Sequence, residues 1–201
     1  MCAFVLVLSI AARAAALDVR VKTLVARDSV VTAVIDLRDL LPDRFIRMLD
    51  GGGVLHLRIQ AELWESRPVW DRLVYPATVR VLRLTRTSAG GDLIVTDAAG
   101  QATTYATVPD PMPITLEIGR TDRIVDSQQY YLRVIATLGT IADRDIDQFG
   151  DAVFGSAADG GGLGSLGRMV FRKMLEISDY LQSTTAEKRG RKIAGREILH
   201  Q

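Results

Sequence analysis

Residues 53–70 read GVLHLRIQAELWESRPVW. From Leu55 to Leu63 the pattern alternates without a break. Leu55, Leu57, Ile59, Ala61 and Leu63 fall on one face, and His56, Arg58, Gln60, Glu62 and Trp64 fall on the other. A period of two over that length predicts a half-buried antiparallel strand. The stretch ends in Ser66-Arg67-Pro68-Val69-Trp70, where proline cannot donate to a ladder, so the chain must turn or run along an edge.

Working outward, the same period recurs. Residues 17–26 alternate at Leu17, Val19 and Val21, and 30–37 are rich in β-branched residues. Arg27-Asp28-Ser29 between them predicts a hairpin turn. A short helix is expected over 42–50, with Asp39 as N-cap, Leu41, Phe45, Met48 and Leu49 on its apolar face, and Gly51-Gly52-Gly53 as its stop. On the far side, 75–87 predict a strand in which Val79 and Val81 are out of phase with Leu82 and Leu84. A bulge near Val81 would reconcile the two halves. Short strands over 93–96 and 101–108 follow. The prolines of VPDPMP, residues 108–113, force an extended crossing between sheets. Residues 114–118 alternate, and 130–141 form a second long strand with Leu132, Val134, Ala136 and Leu138 on one side and Tyr131, Arg133, Ile135 and Thr137 on the other.

Beyond residue 141 the character changes. Aspartates cluster at 143, 145, 147 and 151, and 151–167 are rich in Gly, Ala and Ser, which reads as a linker. A long amphipathic helix is expected over about 166–184, with Leu166, Val170, Met174, Ile177 and Leu181 as its apolar stripe. EKRGRKIAGR, residues 187–196, reads as a mobile basic tail. The fold class expected is mainly β: an antiparallel β-sandwich of about eight strands, one short crossing helix and a long C-terminal amphipathic helix. The expected divisions are 1–16 signal peptide, 17–150 sandwich domain, 151–167 linker, and 168–201 helix with basic tail.

Composition narrows the function classes. The 201 residues carry 25 Lys+Arg against 24 Asp+Glu. That balance lacks the basic excess of a nucleic-acid binder. One cysteine, Cys2, cannot form an internal disulfide. Residues 4–10 form an apolar run too short to span a bilayer as a helix. Small residues follow, and Ala12-Arg13-Ala14 and Ala14-Ala15-Ala16 both fit a signal-peptidase pattern. A secretory signal and a periplasmic location are therefore expected, although no Lys or Arg precedes the apolar run. The competing reading is a buried N-terminal strand or core helix. Cys2 precedes the apolar stretch, whereas a lipidated cysteine follows one.

No catalytic inventory emerges. Two histidines, His56 and His200, do not supply a closed zinc site. The aspartates at 143, 145 and 147 resemble a calcium loop, but Gln148 and Phe154 stand where an EF-hand needs Gly and Glu. No G-x-S-x-G occurs. Gly162, Gly164 and Gly167 match G-x-G-x-x-G but no strand precedes them, as a dinucleotide fingerprint requires. The expectation is no catalytic, metal or cofactor residue. A hydrolase built on His56 would need that residue in a cleft.

The aromatics point elsewhere. Trp64 and Trp70 flank ESRPV beside Arg67 and Arg72, and Tyr131 opens the second long strand. Exposed tryptophan is common at interfaces. Trp70 reads first as a cap on the core, and alternatively as a contact residue. The candidate interaction surface is Trp64, Arg67, Trp70, Arg72 and Tyr131, with Val170, Met174 and Leu181 of the expected helix. That helix either packs on the sandwich or lies on an anionic membrane surface.

The segments FIRMLDGGGVLHLRIQAELW, RPVWDRLV, TVRVLRL and YYLRVIATL together resemble the domain-of-unknown-function family numbered 4390. The resemblance covers residues 30–141. It implies a small, mostly β, periplasmic protein of the bacterial envelope with no established reaction and no functional residues to carry over. It implies an accessory role beside membrane proteins. The expected function is therefore a non-enzymatic periplasmic binding module that contacts another envelope or membrane protein. The alternative is a lipid or small-ligand binder with an apolar pocket.

Overall fold

A computed structural model describes residues 16–140 and 183–200. The signal-like segment, the aspartate cluster from 143 on, the Gly-rich stretch and the expected helix over 166–182, with Val170, Met174 and Leu181, lie outside the described residues. What is described is mainly β and antiparallel, as expected.

The first hairpin joins β1 (Asp18–Arg27) to β2 (Val30–Arg38). Its two loop residues, Asp28 and Ser29, both have positive φ, 48° and 66°. That left-handed pair matches the right-handed twist of the flanking strands. Helix α1 (Asp43–Asp50) follows, burying Phe45 and Leu49. Asp39 is not its cap: Asp39 sits at φ 50°, Pro42 occupies the N-cap position, and no side chain caps the helix. The glycine stop is found, with Gly52 at φ 81° and Gly53 N donating to Met48 O at 2.9 Å.

The predicted central strand is β3 (Leu55–Ser66), and its burial alternates along all twelve residues. After it come β4 (Arg72–Leu73), β5 (Thr78–Arg86), β6 (Leu93–Asp97) and β7 (Ala102–Tyr105). The chain then crosses to β8 (Met112–Arg120), passes a 3-10 turn (Thr121–Arg123), and returns as β9 (Gln129–Gly139). A three-stranded sheet has the order β1-β2-β8, and the larger sheet runs β9-β3-β5-β6-β7, with β10 (Ser183–Arg189) outside β9. Crossing between the two sheets at the proline-rich segment is thus as the sequence predicts.

The last strands correct the expected C-terminus. Ser183 and Thr184 are not helical: they open β10 (Ser183–Arg189), which pairs with β9 along its length. β11 (Ile193–Ala194) also pairs with β9, and a short helix α2 (Gly195–Leu199) buries Ile198. The basic tail is therefore part of the larger sheet. Ala186 faces Ala136 in register, while Glu187 and Arg189 stand on the opposite face. Composition suggested mobility; pairing with a distant strand decides otherwise.

The predicted bulge in β5 is absent as well. Leu55 to Ala61 pair continuously with Leu84 to Thr78. Val79 and Val81 lie on the outer face, and Arg80 takes the inward phase. Its stem runs inward while Nη1 reaches Thr115 O on β8 at 2.9 Å, so the charge finds an acceptor at the sheet edge. One apolar core takes inward residues from both sheets, among them Val31, Ile35, Leu57, Ile59, Leu116 and Leu138, all buried.

Candidate functional site

The inward phase of β3 does not stop at Leu63. Glu65 continues it and is 4% exposed, one of two buried charged residues among those described. A buried carboxylate costs several kcal/mol unless it is paired and hydrogen-bonded. Here the turn after β3 provides both. Arg67 Nε donates to Glu65 Oε1 at 2.7 Å, and Arg72 Nε donates to Oε2 at 2.9 Å. These contacts hold the carboxyl of Glu65 below the ordinary glutamate range, the Arg67 hydrogen bond foremost, with burial opposing and Arg72 adding to the effect.

Asp71 closes the same turn. Its Oδ1 accepts the Arg67 backbone N–H at 3.1 Å, and its Oδ2 accepts the Tyr131 hydroxyl at 2.8 Å and Arg189 Nη2 at 3.3 Å. The Tyr131 bond is the main cause that lowers the Asp71 carboxyl, followed by the Arg67 N–H. Burial, and then the bond given to Asp71, push the Tyr131 phenol up. The Arg189 guanidinium lies 3.6 Å from the centroid of the Tyr131 ring. The residue once assigned to a mobile tail thus helps to fasten the turn.

Further along the outer face runs a chain of side-chain bonds. Arg58 donates to Gln60, Gln60 donates to Glu62, and Trp64 Nε1 donates to Glu62 Oε2 at 3.0 Å. Arg133 bridges Glu62 to Glu187 on β10, with Nε 2.7 Å from Glu187 Oε1. Trp64, Leu73 and Tyr131 occupy one cross-strand row.

Beyond this braced base the turn exposes its tip. Trp70 is 82% exposed, Val69 78% and Leu73 40%. Trp70 therefore does not cap the core. Of the sequence-predicted contact residues, Trp64, Arg67, Trp70, Arg72 and Tyr131 come together at one end of the larger sheet. Glu65, Asp71 and Arg189 were missed. Glu65 was signalled by its phase, since it continues the apolar face with two arginines nearby. Asp71 and Arg189 had no such local signal, because their partners are remote in sequence.

Glu65 and Asp71 are held ionised and matched to arginines. That suits a structural brace and is the reverse of what a general acid near neutrality needs. His56 lies on the outer face of β3, in register with Arg83 and Gly139, and lines neither of two open clefts. One cavity, about 280 Å³, lies between β5–β7 and β8. The other, about 500 Å³, is bounded by Leu41, Pro42 and Arg44 with Ala16 and Thr184, which adjoin segments outside the described residues. Among the described residues no three His, Cys, Asp or Glu side chains stand together as a metal site requires, and no helix is long and apolar enough to cross a membrane. No family model, curated protein or solved structure matches the chain.

Proposed function

We propose that this protein is a periplasmic β-sandwich binding module, without an enzymatic reaction, that contacts another envelope protein through the Val69–Trp70 tip. The observation that carries this reading is the 82% exposure of Trp70 on a turn held from beneath by Glu65, Arg67, Arg72 and Asp71. Large aromatics anchor protein interfaces because they bury much area at little entropic cost. A turn already fixed by ion pairs loses less freedom when a partner closes over it. The charges of that base, Glu65 and Asp71 against Arg67, Arg72 and Arg189, nearly cancel, so the tip offers apolar surface rather than a strong field. The envelope as the compartment rests on the signal-like pattern of residues 4–16. The alternative, a lipid or small-ligand pocket, is supported less, since the clefts beside Ile114 and beside Pro42 both stand open to solvent.

The test places a photo-crosslinking amino acid at position 70, and separately at Val79, in the full-length protein in living cells. Val79 is 46% exposed on the outer sheet face and serves as the control. A discrete adduct in the envelope fraction from position 70 alone is expected. Equal adducts from both positions, or none from position 70, would sink the reading.

A further inference from the structure

The carboxylates under the Trp70 turn have their acceptor sites filled from within. The two oxygens of Glu65 take bonds from Nε and Nη2 of Arg67 and from Nε and Nη2 of Arg72. A carboxylate offers about four lone-pair sites, so Glu65 has none left for a newcomer. The oxygens of Asp71 take the Arg67 backbone N–H, the Tyr131 hydroxyl and Arg189 Nη2. Both acids also sit low in the turn, with side chains 5% and 28% exposed.

The donors stand the other way. A guanidinium carries five N–H groups. Arg67 and Arg72 each direct Nε and Nη2 at Glu65, and Arg189 directs Nη2 at Asp71. Among the described residues no hydrogen bond takes up Nη1 of any of the three. Their side chains are 43%, 50% and 52% exposed, well above the acids that hold them. Trp70 adds an exposed indole N–H, which donates and cannot accept. The side chains around the tip therefore turn donors outward and keep their acceptors inward. Near-cancellation of charge governs what a partner feels beyond a Debye length of about 8–10 Å. A surface in contact meets guanidinium edges.

We propose that the partner protein receives Trp70 in an apolar cavity bordered by aspartate or glutamate carboxylates. This rests on the reading of the tip as a protein contact and adds the chemistry that the tip meets. A carboxylate matches the planar fork of a guanidinium and also accepts from an indole N–H. Each guanidinium is already held by Glu65 or Asp71, so little side-chain freedom is lost when the partner closes. An anionic bilayer fits less well. Three arginines against two acids leave the turn a net charge of 3 − 2 = +1, and attraction to anionic lipid grows with the number of basic residues at about 1 kcal/mol each. Acceptors placed one by one opposite Arg67, Arg72 and Arg189 need no net charge.

The test mixes the full-length protein, carrying the photo-crosslinking residue at position 70, with detergent-solubilised envelope extract. The yield of the protein adduct should fall about tenfold as salt rises from about 50 to about 500 mM. It should fall by a similar factor when the carboxylates of the extract are first converted to amides with carbodiimide and ethanolamine. Arg72→Gln should lower the yield about threefold or more. Arg83→Gln, at an exposed position opposite His56 at the other end of β3, should leave it unchanged. An adduct indifferent to salt and to amidation would overturn the acidic border while leaving the tip as a contact. An adduct formed equally with vesicles of anionic phospholipid alone would assign the arginines to a membrane and overturn the proposal. No adduct from position 70 under any condition would remove the contact and the proposal together. Amidation alters the extract alone, so it decides the matter even if Arg72→Gln does not fold.

Discussion

Along β3 the backbone repeats one geometry from Leu55 to Ser66, but what its inward side chains meet changes after Leu63. Leu55, Leu57, Ile59, Ala61 and Leu63 are all fully buried among apolar neighbours from both sheets. Two residues further, in the same phase, Glu65 is nearly as buried but meets Arg67 and Arg72. The first half holds the fold together. The second half shapes the turn that follows and presents Val69 and Trp70 to solvent. The difference teaches that burial alone does not mark a core position: the partner does.

Breaking the apolar half should have the largest effect. Leu57 is fully buried and stands between Leu82 and Leu138 in register. Leu57→Ala should cost about 2–5 kcal/mol, the range for a buried leucine that leaves a cavity, read by urea unfolding. A loss under about 1 kcal/mol would mean that this part of the core is not packed as described.

Glu65→Gln sharpens the comparison and should cost less, about 1–2 kcal/mol. Arg67 and Arg72 are half-exposed, so water can recover much of what they lose. The pH dependence has a definite sign. The Glu65 and Asp71 carboxyls are held below their ordinary values in the fold. Their contribution is therefore present above the unfolded-state pKa of about 4 and is lost as pH falls through the lower folded value. Stability of the parent protein should fall across that acid window, and Glu65→Gln should flatten the fall. An identical slope in parent and variant would show that Glu65 gains nothing from its arginines.

The smallest effect belongs to the tip. With Trp70 82% exposed, Trp70→Ala should change stability by no more than about 0.5 kcal/mol. A loss near that of Leu57→Ala would mean that Trp70 is buried after all.

Much of this was legible in the sequence. The eight strands read from alternation are all present, because a strand with one face on the core writes its period into the residues. Aromatic and arginine content also singled out Trp64, Trp70 and Tyr131, which the fold brings to one end of the larger sheet. What failed was non-local. Val79 and Val81 suggested a bulge, yet the ladder runs straight and Arg80 snorkels to a carbonyl on another sheet. The segment 187–196 looked like a tail because its charges carry no local order; β9 supplies that order from some fifty residues away. Glu65 carried a signal in its phase and in Arg67 and Arg72 nearby, but a charged residue in apolar phase reads as the end of a strand until those partners are placed beside it.

The most direct test uses the chain's two tryptophans. Trp64→Phe leaves only Trp70, and Trp70→Phe leaves only Trp64. Acrylamide quenching of each variant then reports one residue. Trp70 should be quenched strongly with red-shifted emission. Trp64, half-buried and bonded to Glu62, should be quenched less and emit further to the blue. Equal quenching of the two, or a protected Trp70, would contradict the account of a braced turn with an exposed tip.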